Sequence, residues 1–399
     1  MILTDEQELL VNDIVKWYKY SSEQVFQYSG GPGRGKSVVM GEAIRRIGLR
    51  QEEIAPMAYV GAAAIVMRTK GLYNAKTVHS TLFHPVETFI KDKNGNIVMD
   101  NYLNRPKTTL AFEPNELYGV KLMAIDEGTQ IPLSMRHEID SRGIKTLVTG
   151  DINQLHPVGE PPAYLTSGKI RYLTKCMRQS ENSPICYIAD RILEGKEIHK
   201  GWYGDLLVID EDELTDYMLS NSEIVICSKN VTKESINNHI RRNIYNIKSD
   251  LPVRGEKIIC RKNNWKIEVD GINLANGLIG RVVNQPGVHN FDGKSFKVDF
   301  RPNMINGVFK DTICDYKYLI APPSIKAQIK NDKYSIGEKF DFCNAITTHL
   351  SQGSQFGFGI YIEEFLNKDI QRNLNYTGIT RFSRGGIYVK RKNKYYSFK

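Results

Sequence analysis

The sequence predicts an α/β protein with two units of alternating strands and helices and two smaller β-rich insertions. A glycine-rich loop between an apolar strand and a helix, close to the N-terminus, indicates the first unit. The strand and helix pattern starts again at Leu206, which indicates a second unit facing the first. Residues 256–335 have strand-type patterning divided by glycines, which is typical of a small barrel-like insertion. The length of 399 residues suggests two to four domains.

The glycine-rich loop spans residues 30–37 and fits the phosphate-binding pattern G-x-x-x-x-G-K-[ST]. Residues 25–28 before it predict the end of a buried strand, and residues 38–47 after it predict a helix. The glycines let the backbone pass close to a polyphosphate, and the helix N-terminus adds partial positive charge. We expect Lys36 on the β- and γ-phosphates and the Ser37 hydroxyl on Mg²⁺, whereas an ordinary glycine-rich turn rarely has these flanks. The predicted nucleotide contacts are Gly31, Pro32, Gly33, Arg34, Gly35, Lys36, Ser37 and Val38.

Upstream of this loop, residues 4–19 have an apolar face with helical spacing and predict a helix. Thr4 at the N-cap and Gln7 three residues later form the pattern of a capping box. Gln7 has a second possible role, because an amide both donates and accepts and can read the edge of an adenine. Capping is the favoured role from this residue alone, and the adenine contact stays open beside it.

After the P-loop helix, residues 54–60 predict an apolar strand and residues 65–70 predict a helix. The small residues at 61–64 are expected to allow a sharp turn from the strand into that helix. Residues 77–80, with the sequence Thr-Val-His-Ser, follow. Their hydroxyl and imidazole groups either bind a phosphate backbone or cap a turn.

The next segment has the character of a hairpin. Residues 89–93 and 96–99 flank Asn94 and Gly95, which is a strong short-range signal for a type I′ turn. We therefore expect residues 84–112 to be a small inserted element outside the parallel sheet.

An acidic pair, Asp126 and Glu127, ends the buried strand predicted at 120–125. The first carboxylate is suited to hold Mg²⁺ through water, and the second to polarise the attacking water as a general base. A charge pair at a helix N-terminus is the alternative, and the apolar run and the P-loop argue against it. A further strand at 145–149 leads into a polar loop in which Gln154 is placed to meet a γ-phosphate.

The second unit is predicted from helices at 185–193 and 231–245, strands at 224–227, 341–346, 361–362 and 386–390, and a helix that carries residues 375–381. Arg178 lies near the end of the stretch 173–179 that leads into this unit. The tail from Lys390 to Lys399 is basic with interleaved aromatic residues. A solvated terminal strand is the favoured interpretation of the tail, and contact with nucleic acid is the alternative.

Composition narrows the class of protein. The chain carries 54 Lys and Arg residues against 45 Asp and Glu residues, a formal net charge of +9. A basic surface fits a polyanionic partner such as nucleic acid, although a merely basic enzyme has the same balance. The sequence shows no apolar run of membrane-spanning length and no signal peptide. Six scattered cysteines without a C-x-x-C pair argue against a zinc site or a disulfide framework, so we expect a reduced, cytoplasmic protein.

Taken in order, these blocks resemble the superfamily 1 helicases, and most closely the RecD/Dda-like branch of 5′→3′ DNA helicases common in bacteriophages. The resemblance runs from about Gln7 to Arg381. It rests on Gln7 (Q motif), 30–37 (motif I), 61–64 (Ia), 77–80 (the T-[IV]-H-S block), Asp126 and Glu127 (II), 150–158 (III), Arg178 (IV), 345–353 (V) and 376–381 (VI). Motifs III to VI are weak signals one by one, whereas their joint presence in this order is specific.

The resemblance implies the residues of the site. The implied catalytic residues are Lys36, Asp126, Glu127, Gln154, Arg178 and Arg381, with the two arginines acting as arginine fingers on the γ-phosphate. The implied nucleotide contacts add Gln7, Gly353 and Gln355 to the P-loop, and the implied metal ligands are Ser37 and Asp126. The implied DNA contacts are Gly61, Thr77, His79, Ser80, Asn276, Thr348, His349 and Ser351. The sequence departs from the family pattern at Val60 and Ala62 in motif Ia, at residues 128–130 after motif II, and at Leu350 and Gln355 in motif V.

The implied fold has two RecA-like domains, 1A (residues 1–83 and 113–170) and 2A (171–261 and 336–399), a pin hairpin 1B (84–112) and an SH3-like domain 2B (262–335). The implied activity is ATP- and Mg²⁺-dependent unwinding of DNA in replication, recombination or repair, with movement 5′→3′ on single strands. The implied partners are single-stranded DNA, forked duplex DNA and replication or single-strand-binding proteins. The implied state is a monomer without membrane contact, in the bacterial host cell if the chain is phage-encoded.

Two other functions fit part of the pattern. One is a DNA-stimulated ATPase or translocase that remodels protein–DNA complexes without processive unwinding. The other is a P-loop NTPase acting as a regulatory switch, which predicts no stimulation of ATP hydrolysis by DNA.

Overall fold

The computed structural model describes residues 3–100, 105–106, 108–166, 168–175, 183–284, 286, 293–331 and 337–391. Two predictions, the motif IV residue Arg178 and the tail beyond Arg391, lie outside these residues. Within the described part of the chain, no helix has the length and apolar character that crossing a membrane requires. The cysteines in the described ranges are buried and form no disulfide with one another.

The first unit contains the described strands β1 Val25–Gly30, β2 Ile54–Ala58, β3 Lys76–Thr77, β4 Phe83–Phe89, β5 Met99–Asp100, β6 Arg105–Pro106, β7 Thr108–Pro114, β8 Leu122–Asp126, β9 Lys145–Gly150 and β10 Ile170–Leu173. Its α-helices are α1 Asp5–Tyr20, α2 Lys36–Ile47, α3 Gly61–Thr69, α4 Val78–Leu82 and α5 Arg136–Asp140. Single 3₁₀ turns lie at Gln51–Glu53, Gly128–Gln130 and Leu133–Met135.

Six of these strands form one parallel sheet in the order β10-β1-β9-β8-β2-β3. Strand β8 is buried along its whole length, and Leu122 and Ala124 face one core while Met123 and Ile125 face the other. Such burial on both faces is expected of a parallel strand covered by helices on either side. Because all six strands run the same way, the loops after β1, β8 and β9 meet at the carboxyl edge of the sheet.

The start of helix α1 is as predicted. Thr4 Oγ1 accepts from the Gln7 backbone N–H (3.3 Å), and Gln7 Oε1 accepts from the Thr4 N–H (3.2 Å). The capping box is therefore formed. Helix α3 differs from the prediction, because it begins at Gly61 and not at Ile65. The small residues predicted to make a turn are its first helical turn, and they let the helix pack closely on its neighbours.

The first insertion is an antiparallel ribbon of β4 and β7, from Phe83 opposite Pro114 to Phe89 opposite Thr108. The type I′ turn predicted at its end is wrong. Gly95 has φ of +85°, but Asn94 is not among the residues with positive φ. Asp92 Oδ1 accepts from the Asn94 N–H (2.8 Å), and the Gly95 N–H donates to the Asp92 carbonyl (3.1 Å). The Asp92 side chain thus favours a longer loop in which only the glycine is left-handed.

The second unit contains the described strands β11 Gly201–Tyr203, β12 Leu206–Asp210, β13 Ile224–Cys227, β14 Lys257–Cys260, β15 Asn264–Val269, β16 Ile272–Leu274, β17 Ile279–Val282, β18 Ser295–Pro302, β19 Phe309–Asp315, β20 Phe340–Phe342, β21 Ala345–Thr347, β22 Phe356–Ile362 and β23 Phe382–Lys390. Its α-helices are α6 Pro184–Leu193, α7 Asp216–Asn221, α8 Asn230–His239, α9 Tyr316–Ile320, α10 Pro323–Asn331 and α11 Lys368–Ile379. A 3₁₀ turn lies at Glu211–Glu213, and a π-helical turn at Ile240–Ile244 continues α8.

The large sheet of this unit has the order β11-β12-β23-β22-β13-β21 and is parallel except for the edge strand β11. The single strand predicted at 341–346 is wrong, because the chain there changes sheets. Strand β20 pairs with β14 in a smaller sheet, whereas β21 pairs with β13 in the large one. Asn237 Oδ1 accepts from the N–H groups of Asn344 (2.8 Å) and Ala345 (2.9 Å) and holds the chain at this crossing.

The smaller sheet is antiparallel, with the order β19-β18-β17-β14-β20. Buried Phe296, Phe300, Phe309 and Phe340 fill its core. The segment predicted as β-rich also contains helices α9 and α10. The hairpin of β15 and β16 contacts the first unit, where Arg68 of α3 donates to the Asp270 carbonyl (3.0 Å).

Within the second unit, a buried cluster of charges joins the smaller sheet to helices α8 and α10. Asp341, 3% exposed, accepts from Lys233 Nζ (3.1 Å) and Lys326 Nζ (2.6 Å), and Arg261 Nε lies 3.3 Å from it. Glu234 Oε1 lies 2.8 Å from Lys326 Nζ. Burial alone would raise the pKa of Asp341, but Lys233, Lys326 and Arg261 outweigh it and hold the pKa at about 2.

Asp341→Asn is expected to lower the free energy of unfolding by about 3–5 kcal/mol, because it leaves buried cations without their shared carboxylate. Denaturant unfolding near neutral pH measures this. A pKa held below its usual 3.8 contributes stability above that value and loses it as the pH falls through about 2, so the difference should shrink in acid. Asp216→Asn, in an exposed pair with His239, is the control and should cost less than about 1 kcal/mol. Equal losses in the two variants would contradict the prediction.

Candidate active site

A cleft of about 690 Å³ lies at the carboxyl edge of the first sheet, against the second unit. The first unit contributes the P-loop, the start of α2, the acidic pair and Gln154. The second unit contributes Gly353, Gln355 and Arg381. These residues lie far apart in sequence, and the packing of the two units brings them to one space.

The P-loop leaves β1 and ends at α2, whose first residue is Lys36. Gly33 and Gly35 have φ of +69° and +82°, a region that favours glycine. At Gly31 a Cβ would lie 3.0 Å from the Tyr376 hydroxyl of the second unit, so the loop passes close to that helix. Lys36, Ser37 and Val38 at the N-terminus of α2 line the cleft, and the N–H groups that a helix leaves free at its N-terminus suit a phosphate.

Lys36 lies over its own loop. Its Nζ donates to the carbonyls of Gly30 (2.8 Å) and Gly31 (3.2 Å) at the mouth of the cleft. The adjacent Ser37 Oγ accepts from Lys70 Nζ (3.0 Å) at the end of α3. Sequence reasoning missed Lys70, and nothing in its local pattern distinguishes it from other lysines at helix ends.

Two predicted nucleotide contacts have other partners. Arg34 donates to Asp190 Oδ1 of α6 (3.2 Å) and to the Leu173 carbonyl (3.4 Å), so its guanidinium links the P-loop to the second unit. Gln7 completes the capping box and also donates from Nε2 to the Arg34 carbonyl (3.4 Å). A Cβ at Gly35 would overlap the Gln7 amide. The Gln7 side chain thus supports the P-loop, and an adenine contact by Gln7 stays a prediction.

The acidic pair lies at the carboxyl end of β8, as predicted, with Asp126 the last residue of the strand. Asp126 Oδ1 accepts from the Glu127 N–H (2.9 Å), and Glu127 has φ of +54°, an uncommon conformation for a non-glycine residue. Glu127 Oε2 is buried with no hydrogen-bond partner among the described residues. Burial and then the charge of Asp126 raise the pKa of Glu127, while Arg381 and Lys36 oppose the shift. A strained, poorly solvated carboxylate aimed at a cleft suits a general base.

Mg²⁺ fits this set of donors. The Ser37 hydroxyl and the Asp126 carboxylate both line the cleft, and both are oxygen donors of the type that Mg²⁺ prefers. The unpartnered oxygen of Glu127 lies beside them and is suited to a water molecule. These residues can therefore hold the ion and its water where phosphates would lie.

The Gln154 loop is attached to the second unit. Gln154 is 2% exposed, and its Nε2 donates to Asp151 Oδ2 (3.4 Å), which also accepts from the Tyr376 hydroxyl (2.8 Å). The Leu155 N–H donates to Thr377 Oγ1 (2.9 Å) on the same helix, α11. Sequence reasoning placed Tyr376 and Thr377 in a motif without a role. Their hydroxyls connect the loop that faces the nucleotide to the second unit.

Arg381, just after α11, is 5% exposed and lines the cleft. Its Nε donates to the Thr377 carbonyl (3.1 Å) and its Nη2 to Thr380 Oγ1 (3.3 Å). Gly353, with φ of +74°, approaches α3 so closely that a Cβ would lie 3.0 Å from Ala63 Cβ. Gln355 lines the same cleft and is exposed.

The predicted DNA contacts of the first unit are mostly engaged within the fold. Thr77 Oγ1 caps α4 by accepting from the Ser80 N–H (3.2 Å), and Ser80 Oγ donates to the Thr77 carbonyl (3.1 Å). The hydroxyls thus cap a turn, one of the two alternatives from sequence. His79 is half-buried between Tyr59 and Phe83, and burial lowers its pKa. A neutral ring beside aromatic side chains is better suited to stack on a base than to pair with a phosphate.

Gly61 and Asn276 come together although the sequence separates them widely. A Cβ at Gly61 would lie 2.9 Å from Ala275 Cβ, next to the exposed Asn276. The first turn of α3 and the loop after β16 therefore form one surface. Contact of this surface with a strand of DNA remains a prediction.

In motif V the hydroxyls point inward. Thr348 and Ser351 are fully buried, with Thr348 Oγ1 donating to the Cys227 carbonyl (3.1 Å) and Ser351 Oγ to the Thr348 carbonyl (2.8 Å). Both hydroxyls shape the loop itself, and contact of either residue with DNA stays a prediction. His349 is only half-buried, so it is the member of this group whose side chain reaches the surface.

Comparison with known proteins gives one match to a family model and several matches to solved structures. Residues 14–160 match the family model described as AAA domain, and no curated protein matches the chain in sequence. One solved structure is of Pif1 and concerns the unwinding of forked double-stranded DNA by two coordinating Pif1 helicases. Its sequence is 19% identical to this one, the match covers 100% of this chain and 93% of that chain, and the TM-score is 0.57. Bacteroides Pif1 with ADP-AlF3 and single-stranded DNA is 18% identical, with coverage of 97% and 92% and a TM-score of 0.55. Candida albicans Pif1 is 15% identical, with coverage of 99% and 95% and a TM-score of 0.54.

At these identities the likeness to solved structures concerns the fold. The Pif1 helicases belong to superfamily 1B, the branch that the order of motifs indicated. The resemblance predicted from the sequence is therefore confirmed at this level: the chain has the fold of the Pif1 helicases of superfamily 1B.

Proposed function

We propose that the chain is an ATP-dependent DNA helicase that moves 5′→3′ along single-stranded DNA and unwinds duplex DNA. The observation that carries the proposal is one cleft lined by Lys36 of the first unit and Arg381 of the second. A site made from two bodies changes when either body moves, so the state of the nucleotide and the position of the units are linked. The fold shared with Pif1 structures bound to single-stranded DNA supports the class of ligand.

Within this site each residue has a role that follows from its position. Lys36 meets the β- and γ-phosphates, and Ser37 and Asp126 hold the metal ion. Mg²⁺, when bound, neutralises phosphate charge. Glu127 orients the attacking water and accepts its proton, for which a raised pKa is suitable. Arg381 offsets the charge that develops on the γ-phosphate.

The loop after β9, which contains Asp151, Gln154 and Leu155, is suited to couple the presence of the γ-phosphate to the position of the second unit. Gln154 faces the cleft, and the neighbouring Asp151 and Leu155 bond to Tyr376 and Thr377 of α11. A change at the γ-phosphate that moves Gln154 therefore acts on the second unit through two hydrogen bonds. Repeated closure and opening would move a bound strand stepwise.

We further propose that the two units are domains 1A and 2A, the ribbon is 1B and the smaller sheet is 2B, with the boundaries predicted from sequence. The ribbon is suited to separate strands because it is braced. The ring of Phe112 in β7 lies edge-on to Trp265 of β15, with centroids 6.2 Å apart, and Glu87 pairs with Lys266. A braced ribbon can meet a duplex without folding away.

Strand displacement tests the direction of movement. We expect unwinding of a duplex with a 5′ single-stranded tail and little unwinding with a 3′ tail or blunt ends. Matched duplexes of one sequence, with the tail on either strand, measure this. Preference for the 3′ tail would overturn the polarity and leave the helicase core in place.

Two further outcomes separate the alternatives. DNA-stimulated ATP hydrolysis without displacement on any tail would favour the remodelling translocase, and no DNA stimulation would favour the switch. A variant with a shortened loop around Asn94 and Gly95 tests whether the ribbon separates the DNA strands. It should uncouple unwinding from ATP hydrolysis, with DNA-stimulated turnover unchanged.

A further inference from the structure

A second cavity, of about 810 Å³, lies on the second unit between the large sheet and the smaller antiparallel sheet. Four cationic side chains line it: Arg254, Lys257, Arg281 and Arg384. We call it the basic cavity. It shares no lining residue with the nucleotide cleft, and none of the predicted site residues belongs to it.

The basic cavity is at the amino edge of the large sheet. Glu223 and Asn344, which line it, directly precede β13 and β21. Because these strands are parallel, the loops after them emerge at the opposite edge, where the predicted strand contacts Thr348 and His349 follow β21. A ligand in the basic cavity is therefore separated by the sheet from the predicted path of the tracked strand in this unit.

The cations of the smaller sheet are arranged unfavourably for the sheet itself. Lys257 of β14 lies directly opposite Arg281 of β17, and Arg281 lies directly opposite Arg301 of β18. Like charges in directly opposite positions destabilise a sheet. Burial and the charge of Arg281 lower the pKa of Lys257, while Cys343 and Glu223 oppose the shift. Lys257 Nζ donates to the Glu223 carbonyl, which does not neutralise the ammonium, so an anion bound in the cavity would offset the repulsion among these side chains.

No carboxylate in the described part of the chain forms an ion pair with Arg254, Arg281 or Arg384. Arg281 Nη1 donates to the Gly255 carbonyl (2.7 Å), which leaves the rest of its guanidinium fork available. Of the two lining carboxylates, Glu256 is buried and paired with Arg241.

The other lining carboxylate, Glu223, accepts from the Gly357 N–H (2.6 Å). The cavity therefore carries an excess of positive charge. Tyr245, 50% exposed, and Phe358 place aromatic side chains beside the cations. Cations that meet phosphates next to rings on which bases stack are the pattern of single-strand binding.

We propose that the basic cavity binds the phosphate backbone of a second DNA segment, the displaced single-stranded arm of a forked substrate. The inference rests on the proposed function, since only unwinding produces such an arm. An acidic peptide would pair with the same cations, but its carboxylates would not stack on the adjacent rings as bases do. DNA is therefore the ligand that the cations and the rings together favour.

The test compares three DNA ligands with the same 5′ arm: a single strand, a duplex with that arm as its tail, and a fork that adds a single-stranded 3′ arm to the tailed duplex. In the double variant Arg281→Ala, Arg384→Ala, affinity for the fork should fall roughly tenfold or more in 0.1 M salt, since each lost phosphate contact reduces the salt slope by about 0.7. Affinity for the single strand and for the tailed duplex should be unchanged, and a loss on the tailed duplex equal to that on the fork would overturn the inference. Fluorescence anisotropy over a series of salt concentrations measures all three. Lys297→Ala, an exposed cation on β18 outside the cavity, is the matched control and should bind like the wild type.

Equal losses on the single strand and the fork would place the cavity on the tracked strand and overturn the inference. Unchanged affinity for all three DNAs, in a variant with wild-type thermal unfolding, would also overturn it, and binding of polyglutamate lost in that variant would identify an acidic protein as the ligand. Failure of the proposed function is seen separately, as absent strand displacement by the wild type. The comparison of fork with single strand needs no unwinding.

Discussion

Arg381→Ala is expected to lower kcat for ATP hydrolysis by roughly 10³ or more while ATP affinity stays within about tenfold, as loss of an arginine finger does. The side chain is held by donations to the Thr377 carbonyl and to Thr380 Oγ1, and it lines the cleft opposite the P-loop. Its charge also acts on Glu127, whose pKa it lowers against the effect of burial. An arginine placed in this way stabilises charge that appears only in the transition state.

Nucleotide titration and steady-state turnover at saturating DNA separate the two effects. Arg381→Lys is expected to recover little, because an ammonium lacks the planar fork of a guanidinium. Arg372→Ala, an exposed arginine on α11 that donates to the Leu193 carbonyl, is the matched control and should turn over normally. Loss of ATP binding in folded Arg381→Ala would make this residue a ground-state ligand. The same variant of Arg178 tests the second predicted finger.

Lys36→Ala is expected to abolish DNA-stimulated ATP hydrolysis with the fold retained. The ammonium is the charge that meets the β- and γ-phosphates, and it is held at the cleft by the carbonyls of Gly30 and Gly31. Removing it leaves the P-loop with only its N–H groups and the start of α2 to face the phosphates. Turnover of ATP at saturating DNA measures the loss, and thermal unfolding checks the fold.

Arg45→Ala is the control for Lys36→Ala. Arg45 lies on the same helix, 72% of its side chain is exposed, and it pairs with Glu42. Its loss should leave turnover within about twofold, since an exposed pair contributes little. Wild-type turnover in Lys36→Ala would refute the assignment of the site.

The contacts between the two units bear on both predictions. Gly353 of the second unit passes so close to Ala63 that a side chain would not fit, and Leu155 and Thr377 share a hydrogen bond. Specific contacts between the two units therefore fix the position of the two walls of the cleft. Arg381 and the P-loop line one cleft because these contacts hold the units together.

Local chemistry explains what could be predicted from sequence. A P-loop needs only a strand, a short run rich in glycine and a helix, so residues 30–37 were recognisable in isolation and the structure has α2 beginning at Lys36. The strand that ends at Asp126 and the capping box of Thr4 and Gln7 depend on neighbours within a few residues, and both are present. Errors occurred where one side chain changed a local outcome, as Asp92 did in the hairpin loop.

By itself the sequence determined the two α/β units, the nucleotide loop and the acidic pair, because each has a short-range pattern set by backbone geometry. Only the tertiary structure decided which partners these residues have. Arg34 pairs with Asp190, the hydroxyls of Thr348 and Ser351 are buried, and Lys257 and Arg281 face one another across two strands. Such contacts join residues distant along the chain, and packing and charge in three dimensions select them without leaving a periodic trace in the sequence.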